Sequence, residues 1–366
     1  MTVSRPAAVV VLAAGAGTRM KSQLPKVLHP ICGASMLDHV LAAARELSPA
    51  ELIVVVGHGR RQVAAHLARH APDVRVVVQE RQGGTGHAVR TVTETVGLGL
   101  GTVVVTYGDT PLLRGSTLAD LVRGHAAKHA AATALTTLLT DPSGYGRIMR
   151  DGSGAFVEIV EESDATPEQR AVTEINSGVY AFESSLLADA VKRLPTDNAK
   201  GEEYLTDVVA ILRAEGHHVA TVTIPDSDEV RGVNDRIQLA HARRILNARI
   251  LDGWMRAGVT IVDPLTTLID ASVILEPDVE IGPGTQLAGS TVVETGAYVG
   301  PGCVLRDTAV GKGAALTHVV SVSASVGAGV TVDPFTYLAP GTGLPAGKPG
   351  QSRSGAGRPA RKEAQA

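Results

Sequence analysis

Cysteine is almost absent from this chain: Cys32 and Cys303 are the only two in 366 residues. Two thiols so far apart exclude a disulfide framework and a cysteine-rich zinc module, and they fit a reducing compartment. Aromatic residues make up only 3%. Neither sign of charge dominates, since 34 Lys and Arg stand against 37 Asp and Glu for a net −3. That balance removes the electrostatic reason to expect nucleic acid or an anionic membrane as a partner. No apolar run approaches the ~18 residues that a membrane helix needs. The apolar stretch from Ala7 to Ala14, after Arg5, opens directly into Gly15-Ala16-Gly17-Thr18-Arg19. It reads as a buried first strand and not as a signal peptide. A soluble, cytoplasmic protein is expected.

Glycine is in surplus, at 40 residues, and asks for many tight turns. With 44% hydrophobic and 19% charged residues the chain can bury a core and is not disordered. Single cores seldom grow past roughly 250–300 residues, so two domains are expected. Up to about residue 235, short apolar runs alternate with longer periodic ones. Strands are predicted at Ala8–Leu12, Leu52–Val56, Val74–Val78, Val103–Thr106, Ala134–Leu139, Phe156–Val160 and Gly178–Phe182. Amphipathic stretches between them include Asp38–Leu47, Arg61–His70, Leu118–His129 and Thr206–Glu215. Valine-rich runs without alternation suit strands covered on both faces, which makes this part an open, mainly parallel α/β sheet. Ligands bind such sheets beyond the carboxyl ends of the strands. Ile237 to about Ala257 then reads as one long helix stopped by Gly258.

Beyond that helix the period changes. Ile269, Leu275, Ile281, Leu287, Val293, Val299 and Leu305 are seven aliphatics spaced six apart, with Gly, Pro and small residues between. The phase slips by one at Val310, continues through Leu316 and Val322, and resumes at Val326, Val332 and Leu338. Neither a helix nor a single strand holds a period of six. A parallel β-helix does, each flat face taking one hexapeptide. Residues 260–343 would make four or five three-faced coils. Residues 344–366, rich in Gly, Pro, Ser, Arg and Ala, are predicted to be a disordered tail.

The segment richest in chemistry is Leu12-Ala13-Ala14-Gly15-Ala16-Gly17-Thr18-Arg19-Met20, followed by Pro25-Lys26-Val27-Leu28. A glycine-rich turn after a first strand lets backbone N–H groups approach phosphates. A Rossmann loop needs a third glycine where Met20 stands, and a P-loop needs a Gly-Lys-Ser/Thr that is missing. What remains is a Gly-x-Gly-Thr-Arg loop with Lys26 behind it. Arg19 and Lys26 would face a triphosphate together, which suits a leaving pyrophosphate; an ordinary strand–loop–helix junction is the alternative. Gln79 can offer both a donor and an acceptor. The twelve histidines show no metal-ligand pattern, and no G-x-S-x-G or H-E-x-x-H occurs.

The glycine-rich segment resembles the signature of the sugar-1-phosphate nucleotidyltransferases. Its Pro25-Lys26-Val27-Leu28-His29 variant is similar to that of the uridyltransferase half of the bacterial GlmU family. The resemblance continues in order through Gln79–Ala88, Tyr107-Gly108-Asp109, Gly144-Tyr145-Gly146-Arg147, Val160-Glu161-Glu162, Glu174–Gly178, Gly201–Asp207 and Gly232-Val233-Asn234. It covers residues 8–250, and the hexapeptide repeat sits where that family puts it. It implies a Rossmann-like, mainly parallel α/β nucleotidyltransferase domain (1–235), a linking helix (236–259) and a short left-handed parallel β-helix (260–343).

The resemblance also implies roles. Leu12, Ala14, Gly15 and Gly17 would contact the nucleotide, and Gln79, Gly84 and Thr85 would select uracil. Arg19, Lys26 and Asp109 would be catalytic. Asp109 and Asn234 would hold Mg²⁺. Tyr107, Gly146, Glu161 and Asn176 would take the sugar phosphate, although the Gly146–Glu161 stretch is one residue longer than the family pattern. Read alone, Asp109 could merely cap a helix and Asn234 make a turn. His29 and His87 belong to the motifs without a derivable role.

The implied reaction is uridylyl transfer from UTP to N-acetylglucosamine 1-phosphate, in a homotrimer joined through the β-helix. Thymine differs from uracil by one methyl, worth about 1–3 kcal/mol in an apolar pocket, so UTP over dTTP rests on the resemblance alone. Two departures matter. Ala339 stands where the family's second, acetyl-transferring site has an arginine, and the histidine and CoA-binding coils expected after it are missing. His318 lies too early to replace that histidine. Acetyltransferase activity is therefore predicted absent. Another sugar or base, or a non-catalytic sugar-nucleotide regulator, are the alternatives. Intact Arg19, Lys26, Asp109 and Asn234 argue against the last, because a regulator has no need of them.

Overall fold

In chain order the first part of the molecule holds β1 (Ala8–Ala13), α1 (Met36–Arg45), β2 (Glu51–Val56), α2 (Arg60–His70), β3 (Arg75–Val78), α3 (Thr85–Thr95), β4 (Thr102–Tyr107) and α4 (Gly115–Ala127). It continues with β5 (Ala132–Leu138), β6 (Arg147–Arg150), β7 (Phe156–Val160), β8 (Glu174–Glu183), α5 (Ser184–Ala190), α6 (Asp207–Ala214), β9 (Val219–Thr223) and α7 (Arg236–Arg256). The computed structural model describes residues 5–347 and the backbone of Ser352–Arg353. Of the expected tail, residues 348–351 and 354–366 lie outside the described residues. The chain divides into two units: one takes it up to His29 together with Ser35–Leu239, the other takes Pro30–Ala34 and everything from Ala240. The division falls inside α7.

In the first unit the sheet order is β9-β5-β8-β4-β1-β2-β3, with the β6–β7 hairpin hung on β8. β1, β2, β3 and β4 run parallel, as do β5 and β9, while β8 runs antiparallel between β4 and β5. Side chains alternate along β1. Ala8, Val10 and Leu12 join a core with α3, α5 and α6 residues such as Val89, Leu187 and Val208. Val9, Val11 and Ala13 join the opposite core with Leu41, Val63 and Leu118 of α1, α2 and α4. Helices thus cover both faces, which is why the strands read as continuous apolar runs. α1 starts where Ser35 and Asp38 form a capping box. α3, α5, β6 and β9 are elements that the periodicity leaves out. α3 opens inside the Gly83–Ala88 motif, where two glycines interrupt any helical pattern.

The second unit contains the parallel β-helix. Its three faces carry six, five and five strands, every pair parallel. Ile269, Leu275, Ile281, Leu287, Val293, Val299, Leu305, Val310, Leu316, Val326, Val332 and Leu338 all point into one core. Val322 is the exception to the expected hexad: Ser321 turns inward there and is fully buried, and Val322 is only half-buried. The reason is coil length. Ile281 pairs with Val299, Val299 with Leu316 and Leu316 with Val332, so successive turns shorten by one residue and the inward position slips. Ser321 is tolerated because its hydroxyl bonds the buried Thr308 hydroxyl at 2.9 Å. The strand Gly343–Leu344 carries the third face across the expected boundary at residue 343. Cys32 and Cys303 are both free thiols. Among the described residues, no helix is long and apolar enough to cross a membrane.

Candidate active site

A cleft of about 340 Å³ opens at the carboxyl ends of β1 and β4. It gathers Leu12, Ala14, Gly15, Lys26, Gln79, Gly84, Thr85, Tyr107 and Asp109 of the expected residues, from four separate stretches of chain. Gln82 and Glu202 line it as well. Both lie inside the motifs at Gln79–Ala88 and Gly201–Asp207, but the sequence gives neither of them a role. Gln82 Nε2 donates to the Ala14 carbonyl at 2.9 Å, tying its loop to the end of β1. Arg19 does not line the cleft. It is exposed, on a single 3₁₀ turn over Thr18–Met20.

Lys26 organises the end of the cleft nearest Asp109. Gly17, at φ +58°, lies so close that a Cβ there would come within 2.6 Å of Lys26 Cβ. The lysine stem therefore packs on bare backbone, and its ammonium is carried inward. It makes an ion pair with Asp109 and donates to Asn234 Oδ1 at 3.0 Å. The Val233 N–H donates to the Asp109 carbonyl at 2.9 Å, so the loop bearing Asn234 is fastened to the end of β4. A carboxylate and an amide oxygen thus converge on one point that a cation occupies. That hard-oxygen donor set fits Mg²⁺, which takes one or two protein oxygens and completes its shell with water and phosphate.

One wall of the cleft is built around Gln79, which is 4% exposed. Its backbone N–H extends the β2 ladder to Val56 O at 2.8 Å. Its Nε2 donates to Gly84 O at 3.0 Å and to His87 Nδ1 at 2.8 Å. Both amide hydrogens are used, so Gln79 offers an acceptor only, not the donor–acceptor pair that its chemistry allows. Thr85 Oγ1 accepts from Leu205 N–H at 3.1 Å. Glu203 N–H donates to Gly83 O, and Gly86 N–H to Glu203 O, both at 2.8 Å. The Arg90 guanidinium grips the Glu203 carboxylate with a fork of 3.0 and 2.6 Å.

Tyr107 lies against Gly178, where φ is +79° and a Cβ would stand 2.2 Å from the ring. β8 bulges there between Asn176 and Tyr180. Partial burial, with Glu161 and Asp109 nearby, holds the Tyr107 phenol protonated above its ordinary range. Gly146, Glu161 and Asn176 come together: a Cβ on Gly146 would lie 3.5 Å from Asn176 Cβ and 3.6 Å from the Glu161 carboxyl carbon. Burial pushes the Glu161 carboxyl up, against the pull of the Lys200 ammonium. The buried Tyr180, Tyr204 and Thr206 hydroxyls cluster here, Tyr180 beside Asn176 and Thr206 beside the Glu161 carboxyl. All three are within electrostatic reach of Glu161. Asp207 is pushed up to about 6, by burial first and then by the Glu161 charge. Sequence reasoning gives neither Tyr180 nor Asp207 a role.

Residues 9–147 match the model of the MobA-like NTP transferase domain. The bifunctional protein GlmU of Streptomyces avermitilis is 58% identical over 346 residues, 94% of this chain and 72% of its own length. The bifunctional protein GlmU of Thermobifida fusca is 57% identical over 331 residues, 89% of this chain and 68% of that one. At such identity the cleft geometry and the sequence describe one kind of enzyme, a sugar-1-phosphate nucleotidyltransferase, and the chain belongs to the GlmU family.

Proposed function

We propose that this enzyme transfers the uridylyl group of UTP to N-acetylglucosamine 1-phosphate, releasing pyrophosphate and forming UDP-N-acetylglucosamine. The observation that carries this is the Lys26 ammonium bridging Asp109 and Asn234 in the cleft that also holds Gln79. A phosphate oxygen of the sugar attacks the α-phosphorus in line, a new P–O bond forms, and the bond to the β-phosphate oxygen breaks. Catalysis of this class rests on positioning and on stabilising charge. Lys26, with Arg19 brought over from the rim, offsets charge on the departing pyrophosphate. Gly15 and the end of β1 leave room for the triphosphate. The Gln79 acceptor suits the N3–H of uracil. Gly146, Glu161 and Asn176 take the sugar, with the buried Tyr180 and Thr206 hydroxyls beside Asn176 and Glu161. Mg²⁺ held by Asp109 and Asn234 would supply charge neutralisation at the α- and β-phosphates.

The coils between residues 260 and 343 hold one histidine, His318, whose ring stacks on Phe335 with centroids 5.2 Å apart. We assign those coils no acetyl transfer. Their role in this reading is assembly into a homotrimer of a cytoplasmic enzyme.

The test is pyrophosphate release with Mg²⁺, crossing UTP and dTTP against N-acetylglucosamine, glucosamine and glucose 1-phosphates, with Asp109→Ala as blank. Turnover confined to UTP with the acetylated sugar is expected. Faster turnover with another pair would overturn the substrate assignment.

A further inference from the structure

An amide side chain turned over by 180° keeps its shape and exchanges its oxygen for its nitrogen, so packing alone does not choose between the two. At Gln79 the Gly84 carbonyl makes the choice, and the second amide hydrogen then goes to His87. The Gly84 carbonyl, 3.0 Å away, can only accept. The His87 Nδ1, 2.8 Å away, must accept as well, because the group facing it is Nε2. The His87 proton therefore sits on the far nitrogen. The ring is seated in the first turn of α3, and a Cβ on Gly83 would lie only 3.0 Å from its Cγ. Burial lowers the pKa of His87, helped by Arg90 and Arg81 and opposed by Glu203 and Glu94. The ring is thus kept in the neutral form that has an acceptor to give.

Resting on the reading of Gln79 as the base contact, we propose that His87 is a specificity-determining positioning residue that locks the Gln79 amide with its oxygen toward the base. The base so selected must bring a hydrogen-bond donor. Uracil and thymine carry one at N3. Cytosine, with a bare N3, would face Gln79 acceptor to acceptor. Without His87 one amide hydrogen loses its partner, the two flips move closer in energy, and discrimination against CTP falls. His87 touches neither phosphate nor sugar in this scheme, so its effect belongs to the nucleotide ratio.

The experiment measures kcat/KM for UTP and CTP with N-acetylglucosamine 1-phosphate in the wild type, His87→Leu, His87→Asn and Gln79→Ala, with thermal melting alongside. His87→Leu has no acceptor and should lower the UTP:CTP ratio by at least about tenfold, the scale of one lost hydrogen bond. His87→Asn can place Oδ1 where Nδ1 stood and should keep the ratio within about threefold of the wild type. Gln79→Ala should collapse it. A wild-type ratio in folded His87→Leu, with the ratio collapsed in Gln79→Ala, would overturn the role of His87 alone. A ratio unchanged in Gln79→Ala would overturn the base reading beneath it. If His87→Leu does not fold, His87→Asn decides: a ratio fallen tenfold in that variant overturns the proposal, because its acceptor is in place.

Discussion

Gly15 and Gly17 stand in the same loop leaving β1 and answer to different constraints. A Cβ at Gly17 would collide with the Lys26 stem on left-handed backbone, whereas at Gly15 it would meet nothing within 4 Å. Gly17→Ala should cost about 1–2 kcal/mol, through backbone strain and displacement of Lys26, and lower both the melting midpoint and kcat. Gly15→Ala should leave melting unchanged. Its methyl would meet only a bound nucleotide, raising the KM for UTP roughly tenfold, or about 1.4 kcal/mol of lost contact. Equal losses of stability in the two variants would contradict this division. At this scale the identity of the groups is legible in the sequence, because the Gly-x-Gly-Thr-Arg loop, Lys26 and Asp109 name themselves. Their hydrogen-bond polarity is not. Gln79 could offer a donor or an acceptor, and which remains depends on where α3 places the Nδ1 of His87.

Two loops are stitched into one element around α3, and Arg90 is the strongest stitch. Its partner Glu203 is buried and also takes part in both backbone bonds that join residues 83–86 to 203–205. Removing Arg90 leaves the buried Glu203 carboxylate only the distant Arg81 guanidinium, 3.9 Å away, at about 2–3 kcal/mol. Arg90→Leu should therefore lower the melting midpoint markedly. Adding Glu203→Leu should recover part of the loss, because no weakly paired carboxylate then remains buried. A double variant less stable than Arg90→Leu alone would show that the pair matters through its backbone geometry instead. The strands of the sheet are legible, since burial on two faces demands uninterrupted valine runs. α3 is not, because its first residues are the glycine-rich ones that let Thr85 and Gly86 lie against the backbone of Glu203 and Leu205. The bulge of β8 at Gly178 is likewise set by the Tyr107 ring, a neighbour far away in sequence.

Over the molecule as a whole, the β-helix is the part most fully written in the sequence, since each coil has to satisfy only its neighbours. Its one misread position, Val322, comes from shortening of the coils, which a fixed period does not anticipate. The same coils leave an outward row on one face: Leu268, Gln286, Val304, Val320 and Tyr337 lie side by side across adjacent strands. All but the glutamine are exposed apolar side chains. Such a stripe is where the proposed trimer would join. Val304→Lys with Val320→Glu puts opposite charges on directly paired positions, so each coil should keep its fold. Sedimentation should show a trimer for the wild type and a monomer for this variant, with pyrophosphate release retained. A wild-type monomer would end the trimer assignment. The repeat also makes length a stepwise quantity. Each coil adds about 4.8 Å along the axis and presents the next with three strands to pair. Insertion or loss of one whole coil therefore changes the reach of the rod by a fixed increment and leaves every remaining strand its pairing, whereas a change of one or two residues disturbs only the corner that absorbs it.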